Sequence, residues 1–121
     1  MGFAVKQIDH LELFVKDVAA SVEWYKRALG MKVLGRDGSS QIVGNRGVKL
    51  ELNQAAKGQT TGELETWQKI VFGVDRVEFE EAQLHLTRLA IPYRGPIDHC
   101  DALSIYLRDP DGHPLEIAYY L

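Results

Sequence analysis

The chain has 121 residues, with 14 lysines and arginines against 17 aspartates and glutamates for a net charge of −3. That length suits one domain with a core of its own and no need of disulfides; the single cysteine, Cys100, has no intrachain partner. No apolar run reaches a membrane span, no basic run marks a nucleic-acid footprint and no signal pattern opens the chain, so the expectation is a cytoplasmic protein with small-molecule or protein partners.

After a short lead-in, Ile8 to Val15 alternates as a half-buried strand, with Leu11, Leu13 and Val15 on one face and His10, Glu12 and Phe14 on the other. A helix is predicted next. Asp17 suits its N-cap, Val18, Val22, Tyr25 and Leu29 recur at helical spacing, and Gly30 sits where a left-handed C-cap belongs. Short strands follow at Met31 to Gly35, Gln41 to Val43 and Val48 to Leu52, the first two joined around Asp37-Gly38. Residues 53–67 are polar, carry two glycines and show little periodicity, and they read as a linker.

The pattern then restarts. Lys69 to Val74 is a strand, Val77 to Ala90 is a helix with Phe79, Ala82, Leu86 and Leu89 as its buried stripe, and Pro92 stops it. Strands at Ile91 to Ile97, Leu103 to Arg108 and Pro114 to Tyr120 complete the chain. The last two form a hairpin around Asp109-Pro110-Asp111-Gly112, where proline presets φ, the aspartates bond the backbone locally and glycine takes a left-handed conformation. That turn sets the register, placing Leu115, Ile117 and Tyr119 on one face and Glu116, Ala118 and Tyr120 on the other.

Both halves therefore read β-α-β-β-β, an order unlike the β-α alternation of a doubly wound sheet. The predicted fold class is α+β: two βαβββ modules forming open, mostly antiparallel half-barrel sheets of eight strands with helices outside. Module one spans about residues 6–52 and module two about 68–121. Laying His10 to Val15 over Lys69 to Val74 keeps the apolar alternation and sets Lys69 opposite His10. Away from the helices, strand parity then gathers His10, Glu12, Lys49, Glu51, Lys69 and Glu116, with Phe14 and Tyr120 available to line a pocket for an apolar substrate. An imidazole with two carboxylates suits Mn, Fe, Co, Ni or Zn, although a wet antiparallel face alternates apolar and polar residues without binding anything. Asp9 is expected to point to the wrong side of its strand to ligate with His10. Trp24, Tyr25 and Trp67 read as packing groups, and His85 and His113 as structural.

Three segments carry a resemblance: Ile8-Asp9-His10-Leu11 before Val15-Lys16-Asp17-Val18, then Trp24 to Met31, and finally Tyr106 to Ile117 with its Asp-Pro-Asp-Gly hairpin ending in Glu116. Together they resemble the vicinal oxygen chelate superfamily of glyoxalase I, bleomycin-resistance, fosfomycin-resistance and extradiol dioxygenase proteins. The resemblance implies a divalent metal, with the family's first-strand histidine falling on His10, its last-strand glutamate on Glu116 and a further glutamate of the glyoxalase-like members on Glu51. The family's remaining histidine falls on Lys69, whose ammonium has no acceptor and repels a cation.

Three roles are open to Lys69. It can pair with Glu51 or Glu116 in a metal-free pocket, it can stand aside while His99 completes a metal site, or it can act as a catalytic lysine with a depressed pKa. The resemblance thus implies a metal-dependent enzyme on a small molecule, chelating vicinal oxygens to stabilise an enediolate-type anion, as a lyase, isomerase or dioxygenase. Its alternative is a metal-free binding protein of the bleomycin-resistance type. Family members usually pair, so a homodimer is expected.

Overall fold

Each half of the chain runs strand, helix, strand, strand, strand, in a computed structural model that describes residues 2–62 and 68–121. Trp67 lies outside the described residues. The first half comprises β1 (Leu11–Val15), α1 (Val18–Leu29), β2 (Lys32–Asp37), β3 (Ser40–Asn45) and β4 (Val48–Gln54). The second comprises β5 (Ile70–Gly73), α2 (Arg76–Arg88), β6 (Arg94–Asp98), β7 (Ala102–Arg108) and β8 (Pro114–Tyr120).

Local chemistry explains the helices. The Asp17 carboxylate accepts the Ala20 N–H at 3.0 Å, and Gly30 closes α1 at φ 64°, where a Cβ would be strained. Asp75 and Glu78 form a capping box at α2, each side chain accepting the other's backbone N–H at 2.8 and 2.9 Å. The second helix ends at Arg88 rather than Ala90. Ala90 turns left-handed at φ 56°, and Pro92 keeps the residue before it out of helical geometry. Strand β6 starts at Arg94, three residues later than the alternation predicts, and β4 continues through Asn53 and Gln54 because they pair with Phe14 and Val15.

The strands form two open four-stranded sheets, ordered β1-β4-β3-β2 and β5-β8-β7-β6. In each the module's first and last strands run parallel, and the other pairings are antiparallel. The helices cover one face. Val22, Tyr25 and Ala28 of α1 bury with Val15, Val43, Leu50 and Leu52, while Phe79 and Leu86 of α2 bury with Ile105, Leu115 and Ile117. Each of the valines, leucines, isoleucines and the phenylalanine contributes roughly 1.5–3 kcal/mol on leaving water.

The β7–β8 turn ties the halves together through bonds that span the sequence. Besides accepting the Asp111 and His113 N–H groups locally, Asp109 accepts the Tyr25 hydroxyl at 2.6 Å. Asp111 reaches the Lys16 N–H at 2.8 Å instead of bonding only its own turn. Tyr25 is therefore more than a packing group: it is fully buried, and burial beside two carboxylates pushes its phenol far up. His113 bonds Asp109 at 2.7 Å, a structural position as expected.

Candidate functional site

Backbone register makes the two open faces equivalent. Leu11 pairs with Leu50 and Ile70 with Leu115, so His10 and Lys69 each precede the first paired residue of a leading strand. By the same register Glu51 and Glu116 occupy matching places on the modules' last strands.

On the first sheet His10 meets carboxylates. Its Nε2 lies 3.2 Å from Glu12, and one ligand atom from each of His10, Glu12 and Glu51 falls within 4.8 Å of the others. Glu12 belongs here because it pairs directly with Glu51 across the β1–β4 ladder. Asp9 stays outside this ligand group, as expected, but from its place just before β1 it reaches His10 Nδ1 at 2.9 Å. Its hydrogen bond, and next that of Glu12, hold the imidazole's pKa above the ordinary value. Glu51 is pushed up, first by burial and then by its hydrogen bond with Glu12, whereas His10 leads the groups that draw Glu12 down. An imidazole whose far nitrogen is held by a carboxylate, beside two further carboxylates, is a donor set that suits a divalent cation.

The second sheet is built differently. Lys69 Nζ lies 2.9 Å from one oxygen of Glu116, and the Ser104 hydroxyl donates to the other at 2.7 Å. Burial alone would raise this carboxyl, but the Ser104 and Lys69 bonds outweigh it and hold Glu116 below the usual carboxylate range. The Glu116 bond likewise keeps the lysine's pKa raised. Glu116 thus sits with Lys69 and Ser104, apart from the group in which the ligand atoms of His10, Glu12 and Glu51 converge.

His99 joins this second group through Tyr106, whose hydroxyl lies 2.7 Å from His99 Nε2. The Tyr106 ring also carries Lys69 Nζ at 5.1 Å and the Arg94 guanidinium at 5.0 Å from its centroid. Of the two aromatic candidates, Phe14 is 47% exposed on β1 and Tyr120 is 62% exposed on β8, so they belong to different sheets. Sequence reasoning did not single out Glu12, Tyr106 or Arg94 as site residues. Parity had set Glu12 beside His10, and the hairpin register sets Tyr106 opposite Glu116, so two of the three carried a signal. A separate groove of about 430 Å³, between Lys16 and residues 54–61, holds none of the predicted site residues.

Paired βαβββ modules with chemically distinct open faces define the class. The chain belongs to the Glyoxalase/Bleomycin resistance protein/Dioxygenase superfamily, whose family model matches residues 7–117. It is 29% identical over 114 residues to the metallothiol transferase FosB of Lysinibacillus sphaericus, covering 93% of this chain and 81% of that protein. It is 27% identical over 128 residues to the virulence protein STM3117 of Salmonella typhimurium, covering 97% and 86%. A crystal structure of the fosfomycin resistance protein FosX from Listeria monocytogenes shares the fold at a TM-score of 0.82 and 16% identity, covering 98% of this chain and 94% of that one.

Proposed function

We propose that this protein is a metal-dependent enzyme acting on a small molecule, with a divalent cation held on the first sheet by His10, Glu12 and Glu51. The observation that carries the reading is the convergence of these three ligand atoms within 4.8 Å. Such an ion supplies Lewis acidity toward two neighbouring oxygens of a substrate. Asp9 orients the His10 ring and fixes which nitrogen is free, and exposed Phe14 offers an apolar surface on the same sheet face. Among the reactions such chemistry serves, the metallothiol transferases related to this chain favour thiol addition over isomerisation or ring cleavage. A cytoplasmic homodimer belongs to the same proposal, supported by one free cysteine and by Phe3, Val5 and Ile8, which stand 92, 80 and 77% exposed.

The test is metal content after purification without chelator. About one Mn, Fe, Co, Ni or Zn per chain, lost in a His10→Ala/Glu51→Ala variant that stays folded, supports the proposal. Protein that takes up none of these ions overturns it. The second reading, a metal-free binding protein, is favoured by the closed Lys69–Glu116–Ser104 arrangement and then takes its place.

A further inference from the structure

The two sheets carry a serine at the same place and use it differently. On the second sheet Tyr106 pairs with Glu116 and Ser104 with Ala118; on the first Ile42 pairs with Glu51, so Ser40 is the counterpart of Ser104 and Asn53 that of Ala118. Past the small Ala118, the Ser104 hydroxyl reaches Glu116 directly at 2.7 Å. On the first sheet Asn53 intervenes. Its Oδ1 accepts the Ser40 hydroxyl at 2.6 Å, and its Nδ2 donates to Glu12 Oε1 at 3.2 Å.

Glu12 needs such a donor. Its side chain is 53% exposed and lies across the β1–β4 ladder from Glu51, so two carboxylates share a rung and repel. A long side chain so placed gains freedom and hydration by turning into water unless donors hold its oxygens. His10 Nε2 faces Oε2, but a neutral imidazole that donates its Nδ1–H to Asp9 presents only a lone pair there. With His10 neutral and both glutamates ionised, the state that suits a cation, Asn53 is the donor left to Glu12 among the described residues. Its amide can face only one way, since the reverse would set its carbonyl oxygen against the Glu12 carboxylate, acceptor against acceptor.

We propose that Asn53 is the positioning residue for Glu12: held in turn by Ser40, it occupies Oε1 and leaves Oε2, the oxygen turned to His10, to serve as a ligand. The role rests on the reading of His10, Glu12 and Glu51 as a cation site. Both ends of the Asn53 amide are engaged, so it acts through Glu12 and is not itself a ligand. The relay also ties the site to the β2–β3 turn, because Ser40 opens β3 directly after Gly38 and Ser39.

The experiment titrates chelator-treated protein with Mn and with Co by calorimetry and records the visible spectrum of the bound Co. Asn53→Ala is expected to weaken binding about tenfold or more and to change the Co spectrum, as Glu12 is no longer held to the ion. Ser40→Ala is expected to weaken it less, whereas Ser40→Thr, which keeps the hydroxyl, and Ser39→Ala, at an exposed position of the same turn, should bind as the parent does. Urea denaturation of the metal-free variants checks that each is folded; if Asn53→Ala is not, equal binding in Ser40→Ala and Ser40→Thr overturns the role. Parent-like affinity and spectrum in Asn53→Ala, or equal weakening in Ser39→Ala, would overturn the positioning role and leave the cation site standing. A parent protein that binds neither ion overturns both.

Discussion

On the first sheet, the residue before the leading strand is a histidine among three carboxylates, Asp9, Glu12 and Glu51. At the matching place on the second sheet stands a lysine with one carboxylate and a neighbouring arginine. The backbone registers are the same, so the difference comes from a few side chains: Glu12 against Val71, His10 against Lys69 and Ile42 against Tyr106. Glu12 and Val71, like Ile42 and Tyr106, lie directly across from Glu51 or Glu116, and His10 and Lys69 each stand just ahead of the first rung. A duplicated framework thus decides where side chains converge, while their charges decide whether a cation is welcome there.

The largest effect is expected where the two halves join. Asp109→Ala removes the acceptor of the Tyr25 hydroxyl and of the Asp111 and His113 N–H groups, leaving buried donors unpaired at a cost of about 3 kcal/mol or more. Urea denaturation measures it, and a loss below about 1 kcal/mol would mean that the halves do not lean on this turn.

Next comes the contrast between the two glutamates. Glu116→Gln strips the Lys69 ammonium of its counterion and is expected to lose about 1–2 kcal/mol, reduced by the lysine's partial exposure. Glu51→Gln relieves two crowded carboxylates and is expected to leave stability at pH 8 unchanged or raised. Equal losses would erase the distinction between the faces.

Lys69→His restores the histidine that the overlay of the modules calls for, and is expected to raise Mn, Ni or Zn uptake above that of the parent protein. Unchanged uptake would show that the equivalence of His10 and Lys69 does not extend to metal chemistry. The smallest effect is a pH dependence at the shared turn. Asp109, through its hydrogen bond to His113, raises that imidazole's pKa in the folded protein above the ordinary value near 6.5, with the Asp109 and Asp111 charges acting the same way. Its stabilisation is therefore complete below about pH 6.5 and is lost as pH rises through the raised folded value. His113→Gln should flatten the stability profile in that window, and an unchanged profile would place the titration elsewhere.

Much of this architecture follows from local rules legible in one chain. Period-two alternation assigns Glu12 and Glu51 to open faces, Asp17 and Gly30 bracket α1 through bonds to near neighbours, and the Asp-Pro-Asp-Gly turn sets the β7–β8 register. The repeat of β-α-β-β-β needs only the order of these elements. Element ends were less legible: Asn53 and Gln54 join β4 because a strand some forty residues earlier pairs with them.

What tertiary structure alone decided is which charged groups meet. Parity allowed Lys69 to reach either Glu51 or Glu116, and only the pairing of β5 with β8 assigns it to Glu116. Ahead of β1, where strand alternation no longer applies, Asp9 bonds the neighbouring His10 ring. Tyr25 and Asp109, 84 positions apart, look like a packing group and a turn former until α1 is laid against the hairpin. Hydrophobic periodicity is a property of neighbours in sequence, whereas an ion pair or a buried hydrogen bond depends on distance in space, and that distance is fixed only when the strands have found their partners.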